Sequence, residues 1–362
     1  MGPQQYTETN MDSWSLTPRY VWEGTFGPAE EKLTLGVDYV RDDLDMERHQ
    51  DRAKSAMLAE ADLLQQAFGG YIGSETGFGE QFVLSTSARL ERAEVTSDYD
   101  DGRFAWRSYR DSKTFDGKAF SLGLTYAPKE AWRFYVRFDK LYRYPTTDEI
   151  ADYQGAYMND MFNDELDAET GHNYEIGISA DLFEGWTLNA SVFQLDMQDE
   201  IAWDDTAQVN SNLDDTQRRG LECEVQGKLT DFLDCTVTYN YVRPKFSDGP
   251  AEGRDIPLVP RQKLGIALEA ELPAGFYARF DMNYTSSVYQ GSGPQAYNWP
   301  RLPSYTVWNI LLRYKPPRFD KRLSVFIGID NLFSKEYISA GYLGGLYPAP
   351  ERTVKGGLTL SY

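Results

Sequence analysis

The chain has 362 residues, with 36 Lys and Arg against 56 Asp and Glu, and the net charge of −20 argues against a nucleic-acid partner, whose phosphates call for clustered cations. No run of about 18 apolar residues occurs, which excludes a transmembrane helix, whereas a barrel strand needs only about 9 to 11 residues and alternates polar with apolar. A mean hydropathy of −0.55 therefore leaves a membrane β-protein open, and the 25 Tyr, 19 Phe and 8 Trp suit either an interfacial girdle or a soluble all-β domain.

In chain order, Met1-Gly-Pro-Gln-Gln shows no charged start followed by an apolar core, so for an exported protein the beginning is expected to be missing. A tight turn is predicted at Phe26-Gly27-Pro28, then a long polar connection over residues 41–57. Arg52 to Gln66 is rich in helix formers and admits a short helix within residues 47–70. A second long connection spans 96–117. Phe120, Leu122, Leu124 and Tyr126 then oppose Ser121, Gly123 and Thr125 across a predicted strand. After a turn at Ala127-Pro128-Lys129, Trp132, Phe134, Val136 and Phe138 oppose Arg133, Tyr135, Arg137 and Asp139. Long connections follow at 143–172, 199–218 and 244–262, separated by turns at Phe183-Glu184-Gly185 and Thr230-Asp231. Leu264 to Leu272 and Ala278 to Tyr284 alternate in the same way about the turn Pro273-Ala274-Gly275, with charge on one face only, a face that must meet water or other polar groups. Connections at 286–304 and 334–352 precede a last strand from Thr353 to Tyr362. The count is about fifteen strands, all antiparallel, with short and long connections alternating, which is the habit of outer-membrane barrels. No repeat, low-complexity tract or linker marks a domain boundary.

Sites are sparse. Cys223 and Cys235 offer at most one bridge, match no metal spacing and read as small apolar residues. His49 and His172 are the only histidines and both fall in predicted loops, so no catalytic residue and no enzyme is expected; without paired histidines, haem is disfavoured. The acids from Asp148 to Glu169 match no calcium loop and read as a solvated acidic stretch, so no metal and no cofactor is expected. Tyr153, Tyr157 and Asp160 in that stretch, with Trp203, Tyr297, Trp299, Tyr342 and Tyr347 in later connections, are the candidate ligand contacts; the aromatics suit stacking on an aromatic chelator or a corrin ring, and equally a girdle.

Four segments resemble TonB-dependent outer-membrane receptors, in the order that family's C-terminal barrel has them. They are Tyr142-Arg-Tyr-Pro-Thr-Thr-Asp-Glu149; Leu166-Asp-Ala-Glu-Thr-Gly-His-Asn-Tyr-Glu175, where Ala168 replaces the usual proline; Asn212-Leu-Asp-Asp-Thr-Gln-Arg-Arg-Gly-Leu-Glu222; and Asp330-Asn-Leu-Phe-Ser-Lys-Glu-Tyr337 with Tyr347-Pro-Ala-Pro-Glu-Arg-Thr353. Lys355, Gly357, Leu360 and Tyr362 resemble the C-terminal barrel-assembly signal of outer-membrane proteins. Independently, Pro145, Pro348 and Pro350 suit strand ends, and Gly220 a position where a Cβ is unwelcome. The resemblance implies an all-β antiparallel transmembrane barrel, here about 15 of about 22 strands, with short periplasmic turns and long extracellular loops. Residues 1–362 would be one partial barrel domain with no plug, arising from a truncated gene product, a split reading frame or a fragment. It further implies a Gram-negative outer-membrane location and active uptake of a ferric siderophore or cobalamin. Implied partners are outer-membrane lipid, the barrel assembly machinery, a missing N-terminal plug with the first strands, and TonB only through that plug. A passive porin or channel, and a soluble all-β binding protein, remain the alternatives.

Overall fold

The computed structural model describes residues 5–151, 162–183, 185–204, 207, 209–291, 294–319, 322–342 and 345–361. Its strands are β1 (Tyr6–Leu16), β2 (Arg19–Phe26), β3 (Ala29–His49), β4 (Met57–Phe78), β5 (Phe82–Asp101), β6 (Tyr109–Lys129), β7 (Trp132–Arg143), β8 (Glu169–Phe183), β9 (Trp186–Gln198), β10 (Ile201–Asp204), β11 (Val209–Asn212), β12 (Thr216–Thr230), β13 (Leu233–Phe246), β14 (Gln262–Leu272), β15 (Phe276–Thr285), β16 (Tyr305–Tyr314), β17 (Leu323–Asp330), β18 (Ile338–Tyr342), β19 (Gly345–Pro348) and β20 (Thr353–Leu360); one helical turn, α1, spans Thr147–Ile150. The main sheet is a meander in the order β1-β3-β4-β5-β6-β7-β8-β9-β12-β13-β14-β15-β16-β17-β20, with β2 pairing the first part of β3 while β1 pairs the second. β10 with β11, and β18 with β19, form separate hairpins within connections. The chain divides into two compact units: Met1–Thr125, Arg137–Tyr174 and Asp196–Thr216 make one, and Tyr126–Val136, Glu175–Leu195 and Gln217–Tyr362 the other.

The turns at one end of the strands are tight. Gly27 (φ 64°), Gly79 (φ 62°) and Gly185 (φ 77°) take the left-handed conformation there, which costs a residue without a Cβ little. The connections at the other end are longer, as the sequence pattern predicts, but shorter than expected. Residues 41–49, 96–101, 109–117, 169–172, 216–218 and 244–246, expected in loops, belong to β3, β5, β6, β8, β12 and β13, and the admitted helix within 47–70 is instead the start of β4, from Met57. The reason is period two. In β4, Ala59, Ala61 and Leu63 are buried while Glu60 and Asp62 occupy the opposite face, and in β5 Val95 and Tyr99 do the same against Asp98 and Asp100. Tertiary burial of that face overrides the helical preference of Ala, Glu and Leu.

In the first unit the apolar face changes side along each strand. Leu35 and Val37 of β3, Phe68 and Ile72 of β4 and Leu90 of β5 lie on one face and are exposed, Phe68 by 61% and Leu90 by 66%. Further along, Met46, Ala59, Ala61, Leu63, Val95 and Tyr99 lie on the opposite face, and with Phe115, Ile150, Ala151 and Leu166 they form a buried core. An apolar face left bare by protein must be covered by something other than water, whereas the switched segments behave as an ordinary soluble sheet with its core on one side. Strands of 21 and 22 residues in β3 and β4 exceed a bilayer span of about 9 to 11 residues twofold, so each has room for both segments.

The face opposite the bare one carries polar groups joined to each other. Arg137 donates to Asp139 (2.9 Å) and Arg279 to Asp281 (2.9 Å), and Arg89 pairs with Glu91, each an Arg two residues before an acid on one strand face. Asp139 also accepts from Ser121 (2.6 Å) and Asn173 (3.3 Å). Aromatic rings lie flat over glycines of the neighbouring strand: the Tyr71 ring occupies the place a Gly36 Cβ would take. Gly220 is confined likewise, since a Cβ there would lie 2.5 Å from the Phe193 ring and 2.6 Å from the Tyr241 carbonyl oxygen.

The segment Asp330-Asn-Leu-Phe has a physical role. Asn331 is buried with φ 53°; its side chain donates to the Lys335 (2.9 Å) and Pro350 (3.3 Å) carbonyls and accepts from the Lys335 amide (2.7 Å). It thereby ties the end of β17 to the chain entering β20, where Lys355 bonds Asp330 (2.7 Å). Asn331→Ala should cost about 2 to 3 kcal/mol, since it strands buried partners and puts alanine at a positive φ that asparagine tolerates better. Asn331→Gly should recover only the backbone share of that loss. Urea unfolding in detergent, followed by tryptophan fluorescence, measures both.

Candidate ligand-binding loops

In the second unit, three connections on the long-loop side hold one another. Leu258 N–H donates to the Tyr289 carbonyl (2.8 Å), which joins residues 247–261 to 286–304, and Gly291 N–H donates to the Gly341 carbonyl (2.8 Å), which joins 286–304 to the β18–β19 hairpin. Buried Ala251, Ile256, Ala296 and Leu302 give these connections an apolar floor of their own.

Asp255 sits at the centre. Its carboxylate accepts from Arg261 (2.7 Å) and pairs with Lys245 (2.8 Å), whose ammonium also donates to the Gly253 carbonyl (2.6 Å). Burial pushes the Asp255 carboxyl up, but hydrogen bonds from Arg261 and Lys245 outweigh burial and hold it below the ordinary 3.8. The Asp255 carbonyl accepts from the Tyr297 hydroxyl (2.7 Å). Burial pushes the Tyr297 phenol up to about 12, so it stays a neutral donor. Tyr297 meets Tyr289 edge to face at 5.1 Å, and each ring carries a guanidinium: Arg254 lies 4.8 Å from the Tyr297 centroid and Arg301 4.6 Å from that of Tyr289. Arg301 also donates to the Ser287 carbonyl (2.8 Å). Trp299, two residues beyond Tyr297, is half exposed.

The first unit has its own loop cluster. The capping box at α1 joins Thr146 and Glu149 reciprocally. Arg143 at the end of β7 holds Glu149 (2.7 Å) and Glu169, and Glu169 accepts from the Ile201 amide (2.9 Å) at the start of β10. Asn212 bridges the Asp167 (3.1 Å) and Asp199 (2.6 Å) carbonyls. Burial, with Asp167 and Asp215 nearby, raises the Asp199 carboxyl. The carboxylates of Glu149 and Glu169 are thus engaged by Arg143 and backbone amides, which supports a structural role over cation binding.

Of the sequence candidates, Tyr297 lies inside the arginine–tyrosine cluster and Trp299 beside it in sequence. Tyr347 is exposed on β19, where it pairs Ala340 of β18, the strand that Tyr342 ends. Trp203 belongs to the separate β10–β11 hairpin, opposite Asn210. Tyr153, Tyr157, Asp160 and Tyr362 fall outside the described residues. His172 stacks on Phe138 at 5.9 Å, and buried His49 pairs with Glu47 at 3.0 Å. Sequence reading passed over Tyr289, Arg254, Arg301, Lys245 and Arg261. The available signal was the run of cations between 243 and 261 in a chain of net charge −20.

The Asp255 ties are testable by acid. With a folded pKa below the unfolded 3.8, their contribution is complete above about pH 4 and is lost as pH falls through the folded value. The near-UV signal of the Tyr289–Tyr297 pair should show an acid step below about pH 4; in Asp255→Asn the signal should already be reduced at neutral pH and the step absent.

Residues 2–332 match the family described as TonB dependent receptor-like, beta-barrel. The ferric-pyoverdine BN7/BN8 receptor of Pseudomonas putida is 27% identical over 239 residues, covering 64% of this chain and 27% of its own length. The TonB-dependent heme receptor A of Haemophilus influenzae is 25% identical over 289 residues, 69% of this chain and 38% of its own. This chain therefore spans well under half the length of these relatives. The solved structure of the ferric-catecholate import receptor Fiu from K12 E. coli superposes with a TM-score of 0.78 at 16% identity, over 98% of this chain and 55% of its own. The unliganded ferric citrate transporter FecA gives 0.77 at 17% identity, over 99% and 56%. The bare apolar face is thus the lipid face of a barrel wall, and the chain belongs to the β-barrel of the TonB-dependent receptors, proteins of the Gram-negative outer membrane that serve as receptors and not as enzymes.

Proposed function

We propose that this chain supplies wall and outer loops to a receptor for active uptake of an anionic ferric chelate of the siderophore kind, with energy delivered through TonB. One observation carries the reading: in a chain of net charge −20, Lys245, Arg254, Arg261 and Arg301 converge on the loops joined by Asp255, Tyr289 and Tyr297. A siderophore complex presents anionic oxygen donors around the iron and often a conjugated chromophore. Guanidinium groups meet the first by charge-assisted hydrogen bonds, and tyrosine rings meet the second by stacking. Local positive potential on an acidic protein also steers an anion to this site against the general repulsion. Arg254 rests on the Tyr297 ring, and Arg301 on the Tyr289 ring and the Ser287 carbonyl, which leaves guanidinium N–H groups to turn toward a ligand. The ferric-pyoverdine receptors among the relatives support the same ligand class.

Half-exposed Trp299 provides the readout. Titrating the detergent-solubilised chain with ferric pyoverdine should quench its fluorescence saturably, and Trp299→Phe should remove most of the change. The double variant Arg254→Gln/Arg301→Gln should weaken binding by about tenfold or more, two charge-assisted contacts being lost. Cyanocobalamin serves as the neutral competitor. Equal affinity of the double variant and the parent, or quenching by cobalamin alone, would overturn the assignment.

A further inference from the structure

A cavity lies outside the loop cluster, on the lipid face of the first unit. It is shallow and open to the surface, measures about 480 Å³ and is lined by Phe68, Gly70, Leu90, Glu91, Arg92, Asp116, Gly117 and Lys118. The register places its parts. Tyr39, Phe68 and Arg92 stand opposite one another across β3, β4 and β5, and Val37, Gly70 and Leu90 form the next row. Arg92 and Asp116 face each other at 4.0 Å across β5 and β6, with Lys118 two residues farther along the same face. Below lies the row of Leu35, Ile72 and Ala88; above it are Arg41, Gln66 and Glu94. The cavity therefore sits where the apolar band ends and the acidic outer segment begins.

Its floor is a notch. Gly70 has no side chain, and a Cβ placed there would meet only the Gly36 carbonyl and Val37 at 3.9 Å, so the space above it is open between exposed Phe68 and Leu90. The rim is cationic. Arg92 is 70% exposed and its partner Asp116 67%, a loose pair worth little in energy. Lys118 is exposed and makes no ion pair among the described residues. The Glu91 carboxylate turns to Arg89 on the opposite face and leaves the rim to Arg92, Lys118 and Asp116.

From this juxtaposition we infer that the notch is a seat for a phosphate-bearing membrane lipid, an acyl chain lying over Gly70 between Phe68 and Leu90 and the phosphate reaching Arg92 and Lys118. Charge complementarity selects this occupant. A neutral lipid would fill the notch but leave Lys118 without a counter-charge and Arg92 with only its loose Asp116 pair, and a second copy of the chain would bring its own acidic outer rows, Asp45, Asp62 and Asp98, to the same level. Arg92 then exchanges a solvent-screened carboxylate for a phosphate at the low-dielectric boundary, where each cation strengthens attraction to an anionic headgroup.

Native mass spectrometry of the delipidated full chain in neutral detergent tests this, with phosphatidylglycerol, phosphatidylcholine and diacylglycerol as probes. The parent should retain phosphatidylglycerol at least about tenfold more than diacylglycerol, and Arg92→Gln/Lys118→Gln should abolish that preference while leaving diacylglycerol adducts unchanged. Gly70→Leu, whose Cβ meets only ordinary van der Waals contacts and whose side chain would fill the notch, should lose all three; Arg110→Gln, farther along β6, should change none. Inorganic phosphate should not displace the lipid, because the acyl chain supplies part of the binding. A preference that survives in the double variant, retention of all three lipids at equal strength by the parent, or lipid-dependent dimers in place of adducts would overturn the inference.

Discussion

The structure depends on one constraint: within a bilayer every backbone N–H and C=O must find a partner in the protein, which an antiparallel meander supplies strand by strand between its two edges, β1 with β2 at one and β20 at the other. Once that ladder is laid down, side chains have only two faces to choose from, and the choice alternates at every residue. A single chain then contains a sheet whose one face meets lipid and whose other face carries Arg89, Arg137 and Arg279. Those cations keep to one side because each has an acid two residues along, on the same face and within reach. The pairs screen charge locally, and acids of other strands add to them, Asp38 of β3 at Arg89 and Glu269 of β14 at Arg279.

The same alternation explains how β3, β4 and β5 leave the membrane without ending. At Leu44, Leu63 and Ala93 the apolar residues change parity, and what was a lipid-facing ribbon becomes a water-facing one folded around Met46, Val95 and Tyr99. Backbone pairing continues through the change, so Asp45, Asp62 and Asp98 stand in a row on the continuation of the face that carried Val37, Gly70 and Leu90. Like charges in such a row repel, which is tolerable in water and not against hydrocarbon. The parity change is thus a physical record of where lipid stops.

Much of this was legible in the sequence. Strands such as Phe120 to Tyr126 and Leu264 to Leu272 keep one parity throughout, and the alternation of tight and long connections fixes which ends share a side. Residues 41–49 and 57–66 misled because they break the expected parity and carry acids and alanines, so a rule that seeks apolar residues on a constant face reads loop or helix. The rows of buried alanine behind exposed acid become strands only when β3, β4 and β5 are laid side by side, which is long-range information. The loop cluster was half legible for a similar reason. Tyr297 and Trp299 stand out as aromatics, but the arginines that make the place electropositive lie more than thirty residues upstream, or beyond a turn, and meet Tyr289 and Tyr297 in the folded loops, which the Leu258–Tyr289 and Tyr297–Asp255 hydrogen bonds hold together.

The two cationic sites differ in what holds their charges. At the loops, Asp255 anchors Lys245 and Arg261 from behind, while Arg254 and Arg301 lie on rings that position them without cancelling their charge. A guanidinium stacked on tyrosine gives up little of its hydrogen-bonding capacity, because the ring takes the face and leaves the edge N–H groups free to donate. Pre-positioning of that kind lowers the ordering entropy a ligand must overcome. At the wall, Arg92 and Lys118 are exposed and loosely held, and the rigid part is the notch at Gly70 beneath them. A fluid lipid brings many acyl conformations and needs only a headgroup within reach, whereas a rigid chelate needs its contacts fixed in advance; the two arrangements match that difference between the two proposed guests.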